Sequence, residues 1–339
     1  MRAIFSRRAG TYLMRLLPLQ VYGRLLPREV VGLCYHVVSD RGLPHVRHLY
    51  PYKTPEQFEA DLVYLKRSFR VASYAELVEG RDPNAVHLSF DDGYAECFSV
   101  VRPLLLKHGL PCTFFINTDV LDNRRMLAFN RVSLCLDAVE RGGADAARVM
   151  AGTAREAGAP VDAFATWIRA RIRDPDSGAE ELLDRLCARL GVDVEGFLAN
   201  ERPYLTTAQV RQMADEGFTM GGHTRMHWHM GSTRGEDRIE REIVESCRVV
   251  AEITGDERVP FAFPYDAEGV DRAFLARVLE RNPRVGRLFG TGSLRIDAPF
   301  MVNRMLADSP PALGRARSNL PGILSGAYLD EFLRPAGAP

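Results

Sequence analysis

Five short apolar runs, each delivering a polar or aromatic residue at its end, constrain this chain more than any other feature. Val30-Val31-Gly32-Leu33-Cys34-Tyr35 ends at His36, and Ala85-Val86-His87-Leu88-Ser89-Phe90 ends at Asp91-Asp92-Gly93. Cys112-Thr113-Phe114-Phe115-Ile116 ends at Asn117-Thr118-Asp119. Phe218-Thr219-Met220 passes through Gly221-Gly222 to His223, and Val259-Pro260-Phe261-Ala262-Phe263 ends at Pro264-Tyr265. Val285–Phe289 and Phe300–Met305 are weaker candidates. Runs of this length bounded by Gly, Pro and Asp are typical of buried parallel strands.

Helical signals lie between them. Thr54-Pro55-Glu56-Gln57 is a capping box with Pro at the first helical position, followed by Phe58, Leu62 and Leu65 on one face. Thr206-Thr207-Ala208-Gln209 is a second box, and Gly109 and Gly217 are placed to stop helices. Strand and helix alternate, which predicts a parallel α/β architecture. In such folds chemistry sits at the C-terminal ends of the strands. His36, Asp91, Asp92, His223 and Tyr265 all fall there.

The alternation divides the chain. Residues 1–29 form a basic segment and 30–119 the first part of the α/β core. Residues 120–203 are rich in Ala, Arg and Glu with helical spacing (Leu182, Leu183, Leu186, Leu190), which predicts a helical insertion. The core resumes over 204–308, and a Pro-rich tail of loop with one or two short helices occupies 309–339.

Hydrophobic residues make up 46% and charged residues 26%, which supports a buried core and excludes wholesale disorder. With 44 basic and 44 acidic residues the net charge is zero, so no nucleic-acid partner is expected. Six widely spaced Cys without a C-x-x-C pair read as buried, reduced thiols. Residues 1–28 hold six Arg and no acid among scattered apolar residues, with Arg15 interrupting the longest run. That pattern fits either a basic amphipathic helix on an anionic membrane surface or a helix packed on the domain. No signal-peptide cleavage site follows, so the expected location is cytoplasmic, with peripheral contact at the inner face of the membrane under the first reading.

An isolated Asp-Asp-Gly is most often a turn or N-cap. At a strand end, however, adjacent carboxylates Asp91 and Asp92 point apart, so one can bind a metal while the other serves as a base beside it. His223-Thr224-Arg225-Met226-His227 places two imidazoles four residues apart, which on a helical turn share a face. His229 competes with His227 in that count. Two His and one Asp make three ligands for zinc, leaving a position for water whose pKa falls on binding. A hydrolase also needs an acid for the leaving group, and His36, at the end of the first run, is the best-placed His. His45 and His48 belong to an aromatic, Pro-containing loop and read as scaffold or substrate wall; His87 reads as core, and His108 as a helix-end cation.

Leu88-Ser89-Phe90-Asp91-Asp92-Gly93-Tyr94, then Thr113-Phe114-Phe115-Ile116, then Gly222-His223-Thr224-x-x-His227 resembles the NodB-homology polysaccharide deacetylases, carbohydrate esterase family 4. Phe261-Ala262-Phe263-Pro264-Tyr265 looks like their third motif, and Tyr35-His36 is similar to the subgroup that includes biofilm poly-N-acetylglucosamine deacetylases. The resemblance covers roughly 30–119 and 204–306. It implies an α/β fold, a distorted (β/α)7 barrel with a helical insertion, and a hydrolase with one divalent metal, Zn2+ or another transition ion. On that resemblance Asp91 is the base, Asp92, His223 and His227 are the metal ligands, and His36 is the acid. Pro264 and Tyr265 form the oxyanion and substrate-binding turn, with the Tyr265 backbone N–H on the oxyanion.

The family often carries an Arg before its Pro-Pro-Tyr-Gly, where it orients the base. Here Ala262 stands in that place, Asp266 replaces the Gly, and Arg304 on the last expected strand is the candidate substitute. Asp266 is expected to tighten the turn or oppose an anionic substrate. The resulting expectation is removal of an N-acyl group, acetyl above all, from an amino sugar in a glycan or a lipid-linked glycan precursor. Deformylation or O-deacetylation at the same site, and an inactive barrel that binds carbohydrate or a partner, are the alternatives.

Overall fold

The computed structural model describes residues 30–80, 85–312 and 316–332. The basic segment read from residues 1–28, with its membrane or packed-helix alternatives, lies outside the described residues. No helix among them is long and apolar enough to cross a membrane.

Eight parallel strands are described: β1 (Val31–Tyr35), β2 (Arg70–Val71), β3 (Ala85–Phe90), β4 (Thr113–Ile116), β5 (Thr219–Gly222), β6 (Val259–Ala262), β7 (Val285–Gly290) and β8 (Met301–Leu306). Their order is β1-β8-β7-β6-β5-β4-β3-β2, and β1 also pairs with β3, so seven strands close a barrel. The closing register sets Val31 opposite Val86 and Tyr35 opposite Phe90. Two-residue β2, which the apolar-run criterion overlooks because it is too short, pairs with the first residues of β3, while β4 pairs with its last two.

Side-chain alternation assigns the faces. Val86, Leu88 and Phe90 point outward into the main core with Leu33, Tyr35, Phe58 and Phe114. The alternate residues point into the barrel. His87 meets the Ala72 carbonyl and Thr113 Oγ1, both at 3.0 Å, and Ser89 Oγ donates to the Leu33 carbonyl. The barrel interior therefore carries a hydrogen-bonded polar column beside Phe115 and Phe289, with no bare polar surface at His87.

The flanking helices begin as their caps dictate. Thr54 caps α1 (Pro55–Ser68) in a reciprocal box with Gln57, and α2 (Tyr74–Glu79) opens on a Ser73/Glu76 box. A π-turn over Cys97–Val101 leads into α3 (Arg102–His108), which ends at Gly109 in the left-handed region. The inserted stretch over residues 120–203, between β4 and β5, contains four α-helices: α4 (Ala128–Glu156), α5 (Phe164–Arg171), α6 (Ala179–Leu190) and α7 (Val194–Glu201). Gly143, at φ 57°, breaks α4 in two. These helices share a small core of their own (Phe164, Ile168, Leu183, Leu186) and rest on the barrel through Asn130, which donates to the His45 carbonyl and to Tyr94 Oη. The remaining helices are α8 (Thr207–Asp215), entered through the Thr206/Gln209 box, α9 (Glu236–Thr254), α10 (Arg272–Arg281) and α11 (Leu320–Phe332).

Buried Lys53 pairs with Asp61, which also accepts from Tyr35 Oη and Ser318 Oγ; Lys53 donates onward to Asn319. This cluster ties the chain just before α11 to α1. All six Cys are buried and free.

Candidate active site

The strand ends converge. His36 follows β1, Asp91-Asp92 follows β3, His223 follows β5, and Pro264-Tyr265 follows Phe263 just after β6. Asp92 Oδ1 lies 3.6 Å from His223 Nε2 and 3.3 Å from His227 Nε2. All three residues are buried, and Asp92 Oδ1 makes no hydrogen bond. Ligands at zinc–nitrogen and zinc–oxygen distances of about 2.0–2.1 Å in a tetrahedron stand about 3.3–3.4 Å apart. The observed separations and the orphaned oxygen thus fit a small divalent cation.

The His223 tautomer follows from its neighbour. Nδ1 is 2.8 Å from the Ala262 carbonyl, which can only accept, so Nδ1 carries the proton and the Nε2 lone pair faces Asp92. Burial pushes the His227 imidazole down, favouring its neutral, ligating form. Burial alone would push Asp92 up, but His227 and His223 overrule it and hold the carboxyl well below the usual range.

Residues 223–227 do not form the helical turn expected from their spacing. They are a loop after β5 in which Thr224 (φ 62°) and His227 (φ 63°) are left-handed, and His227 N–H donates to Thr224 Oγ1 at 2.9 Å. Asp92 (φ 73°) and Tyr265 (φ 63°) are left-handed too. Four such non-glycine residues, at about 1–3 kcal/mol each, concentrate strain at one rim. His229 does not replace His227, because its ring nitrogens face Ser232 Oγ (2.7 Å) and Asp266 Oδ1 (3.1 Å). Asp266 also accepts the Glu268 N–H and so tightens its own turn.

Asp91 is gripped by Arg304. Nη1 donates to Asp91 Oδ1 at 2.6 Å and Nη2 to Oδ2 at 2.8 Å, a bidentate pair inside the barrel. Arg304 is fully buried and also donates to Ser89 Oγ and the Gly290 carbonyl. Gly32 makes room for it: a Cβ there would lie 2.6 Å from Arg304 Cγ. Burial alone would push Asp91 up; Arg304, then His223, hold it below the ordinary carboxylate range. The cation against the Asp91 carboxylate comes from β8 rather than from position 262.

His36 Nδ1 sits 2.7 Å from Asp308 Oδ2, and its backbone N–H donates to Asp308 Oδ1. Burial alone would lower this imidazole, but Asp308 outweighs it and holds it at about 9. Asp308 stands two residues past the end of β8, so the strand-end rule that selects His36 also reaches it.

Other contributors carried no sequence signal. Tyr50 Oη lies 3.3 Å from Asp92 Oδ2, and its ring packs on His36. It belongs to the aromatic loop whose His45 and His48 do not reach the site. His45 is buried against Tyr94 and Phe197, and the His48 ring lies 3.9 Å from Glu140. Phe129 of α4 meets His227 edge-on at 4.6 Å, and Tyr265 meets it at 4.7 Å. Inserted helices therefore wall the site.

A parallel barrel with a buried Asp-His-His cluster that could hold a metal ion, and a second, cation-held carboxylate at its C-terminal rim, has the layout of a hydrolase active site. The polysaccharide deacetylase family matches residues 79–153 and 174–280, more than half of the chain, and the chain belongs to that family. It is a carbohydrate deacetylase. Among solved structures it is similar in fold to IcaB from Ammonifex degensii (15% identity, TM-score 0.53, covering 89% of this chain and 97% of that one). It is likewise similar to the deacetylase PplD of Streptococcus pyogenes, solved in complex with acetate (15%, TM-score 0.51, 88% and 98%). A de-N-acetylase from Aggregatibacter actinomycetemcomitans aligns at 16% identity, TM-score 0.50, over 83% and 95%. No curated protein matches the chain.

Proposed function

We propose that this enzyme is a metal-dependent deacetylase that removes the N-acetyl group of an amino sugar in a glycan or glycan precursor. The observation that carries the reading is the orphaned Asp92 oxygen between two imidazoles, with a separately anchored carboxylate beside it. Asp92, His223 and His227 would hold the ion, Zn2+ or another divalent transition metal. When bound, such an ion supplies positive charge that polarises the acyl carbonyl and makes water a stronger acid.

Asp91 is the base. Arg304 keeps it ionised and fixes both oxygens, so its remaining lone pairs take the proton of the attacking water. The new C–O bond forms at the acyl carbon, and the backbone N–H of Tyr265 is the group we assign to the oxyanion, on the resemblance of its motif. His36, charged through Asp308, donates a proton to the amide nitrogen as the C–N bond breaks, leaving acetate and a free amine. Tyr50, Phe129 and Tyr265 exclude water from around these groups.

The test is metal analysis together with acetate release from N-acetylglucosamine oligosaccharides. Asp92→Ala and His223→Ala lose the ion and turnover; Asp91→Asn keeps the ion and loses turnover by about 10²–10⁴, the usual contribution of a general base. Full metal occupancy in the first two variants, or near-wild-type rates in the third, refutes the assignment. Parallel measurement of formate and of O-acetyl loss separates the deformylase and O-deacetylase alternatives.

A further inference from the structure

Besides Phe129, the excursion between β4 and β5 brings a cation to the catalytic rim. Arg173, two residues past α5, lays its guanidinium 4.1 Å from the centre of the Tyr265 ring, and its carbonyl accepts the His229 N–H at 3.0 Å. Tyr265 in turn packs on His227, so Arg173 stands one ring away from the Asp92-His223-His227 cluster. It is exposed, and it meets no carboxylate among the described residues. Elsewhere in the inserted helices Arg131, Arg141, Arg148 and Arg189 each pair with Asp or Glu, whereas Arg169 and Arg171 beside it donate only to backbone carbonyls. The family match passes from residue 153 to residue 174, so Arg173 lies in a stretch that the family at large does not define.

A guanidinium lying over a ring uses its face on the π-cloud, and its N–H donors remain in its own plane, directed outward. That fork fits a carboxylate or a phosphate through two parallel hydrogen bonds. Arg169, one turn earlier, adds a second cation that also lacks a carboxylate partner; it donates to the His48 carbonyl, two residues before Tyr50. The nearby acids are engaged elsewhere: Asp174 accepts the Asp176 N–H, Asp176 pairs with Arg238 and Asp266 with His229.

We propose that Arg173 is a specificity residue that binds an anionic group on the substrate, so that the preferred substrate is an N-acylated amino sugar bearing a phosphate or carboxylate rather than a neutral polymer. The inference rests on the deacetylase reading of the site. A sugar whose acyl group reaches the cluster extends about one ring-width outward, and Arg173 stands at that distance from His227, across the Tyr265 ring.

The experiment compares metal-loaded wild type and Arg173→Gln on three probes: N-acetylglucosamine 1-phosphate, N-acetylmuramic acid and neutral methyl N-acetylglucosaminide. At least one charged probe is expected to exceed the neutral one tenfold or more in kcat/KM, mainly through KM, and the ratio falls to about one in Arg173→Gln. The preferred charged probe identifies the anion. A wild-type ratio near one, or a ratio preserved in Arg173→Gln, overturns the proposal. Calorimetric titration with N-acetylglucosamine 1-phosphate and with N-acetylmuramic acid keeps the two readings separable. Binding of either one weakened tenfold or more by Arg173→Gln supports the anion site even where no probe is deacetylated, and equal binding of both by the two proteins overturns it while leaving the deacetylase assignment standing.

Discussion

Replacing Arg304 with Met removes every donor from the base while keeping most of the side-chain volume. The wild-type guanidinium makes two hydrogen bonds to Asp91, at 2.6 and 2.8 Å, one to Ser89 and one to the Gly290 carbonyl, and it packs over Phe115 and Phe289. Both partners of the pair are buried. Arg304→Met leaves the Asp91 carboxylate facing little besides the Cys34 thiol and the His223 edge. Removing one partner of a buried ion pair costs about 3–5 kcal/mol. The Asp91→Asn/Arg304→Met double variant has no unpaired charge and recovers much of that loss, so the coupling in a double-mutant cycle is about 2 kcal/mol or more.

The pH dependence has a definite sign. In the wild type the Asp91 carboxyl is held below its ordinary value, so its stabilising contribution is present above the unfolded pKa of about 3.9 and is lost as pH falls through the lower folded value. In Arg304→Met burial dominates, the carboxyl moves up, and the acid limb of turnover moves to higher pH. Urea denaturation of the four members of the cycle measures the stability term, and a pH–rate profile measures the limb. A cost below about 1 kcal/mol, or an acid limb that stays in place, would refute the claim that Arg304 anchors the base.

Asp308→Asn acts on the opposite limb. His36 is held at about 9, so the charged pair stabilises fully below the unfolded histidine value and is lost as pH rises through about 9. The variant is expected to lose up to about 3 kcal/mol at pH 6 and to shift the alkaline limb of turnover downward; an unmoved limb assigns the acid elsewhere. Gly32→Ala would bring a Cβ to 2.6 Å from Arg304 Cγ and 2.8 Å from the Asn303 carbonyl, costing about 1–3 kcal/mol in denaturation and raising the acid limb as Arg304→Met does, but less. Wild-type stability in that variant would mean that Arg304 has room to yield. Deleting residues 1–26 is expected to weaken sedimentation with anionic vesicles, in line with the five Arg it removes; unchanged binding favours a helix packed on the domain.

The strand runs and both capping boxes were legible in the sequence because they depend on local chemistry. A short, largely apolar run such as 85–90 marks a strand buried on both faces, and Thr54 and Thr206 cap the turns that immediately follow them. Parallel strands deliver their last residues to one end, so His36, Asp91, Asp92, His223 and Tyr265 could be proposed as neighbours before any coordinate was known. The choice between His227 and His229 could not be made from spacing. It turned on left-handed backbone at Thr224 and His227, which points one imidazole at Asp92 and the other at Asp266. Likewise the pairing of His36 with Asp308, 272 residues away, and the contacts of Phe129 and Arg173 with the rim depend on how the barrel closes and how the inserted helices lie across it. The sequence determined which residues stand at strand ends, because periodicity and capping act over a few residues. Only the tertiary structure decided which of them touch, because barrel closure and long-range packing set those distances.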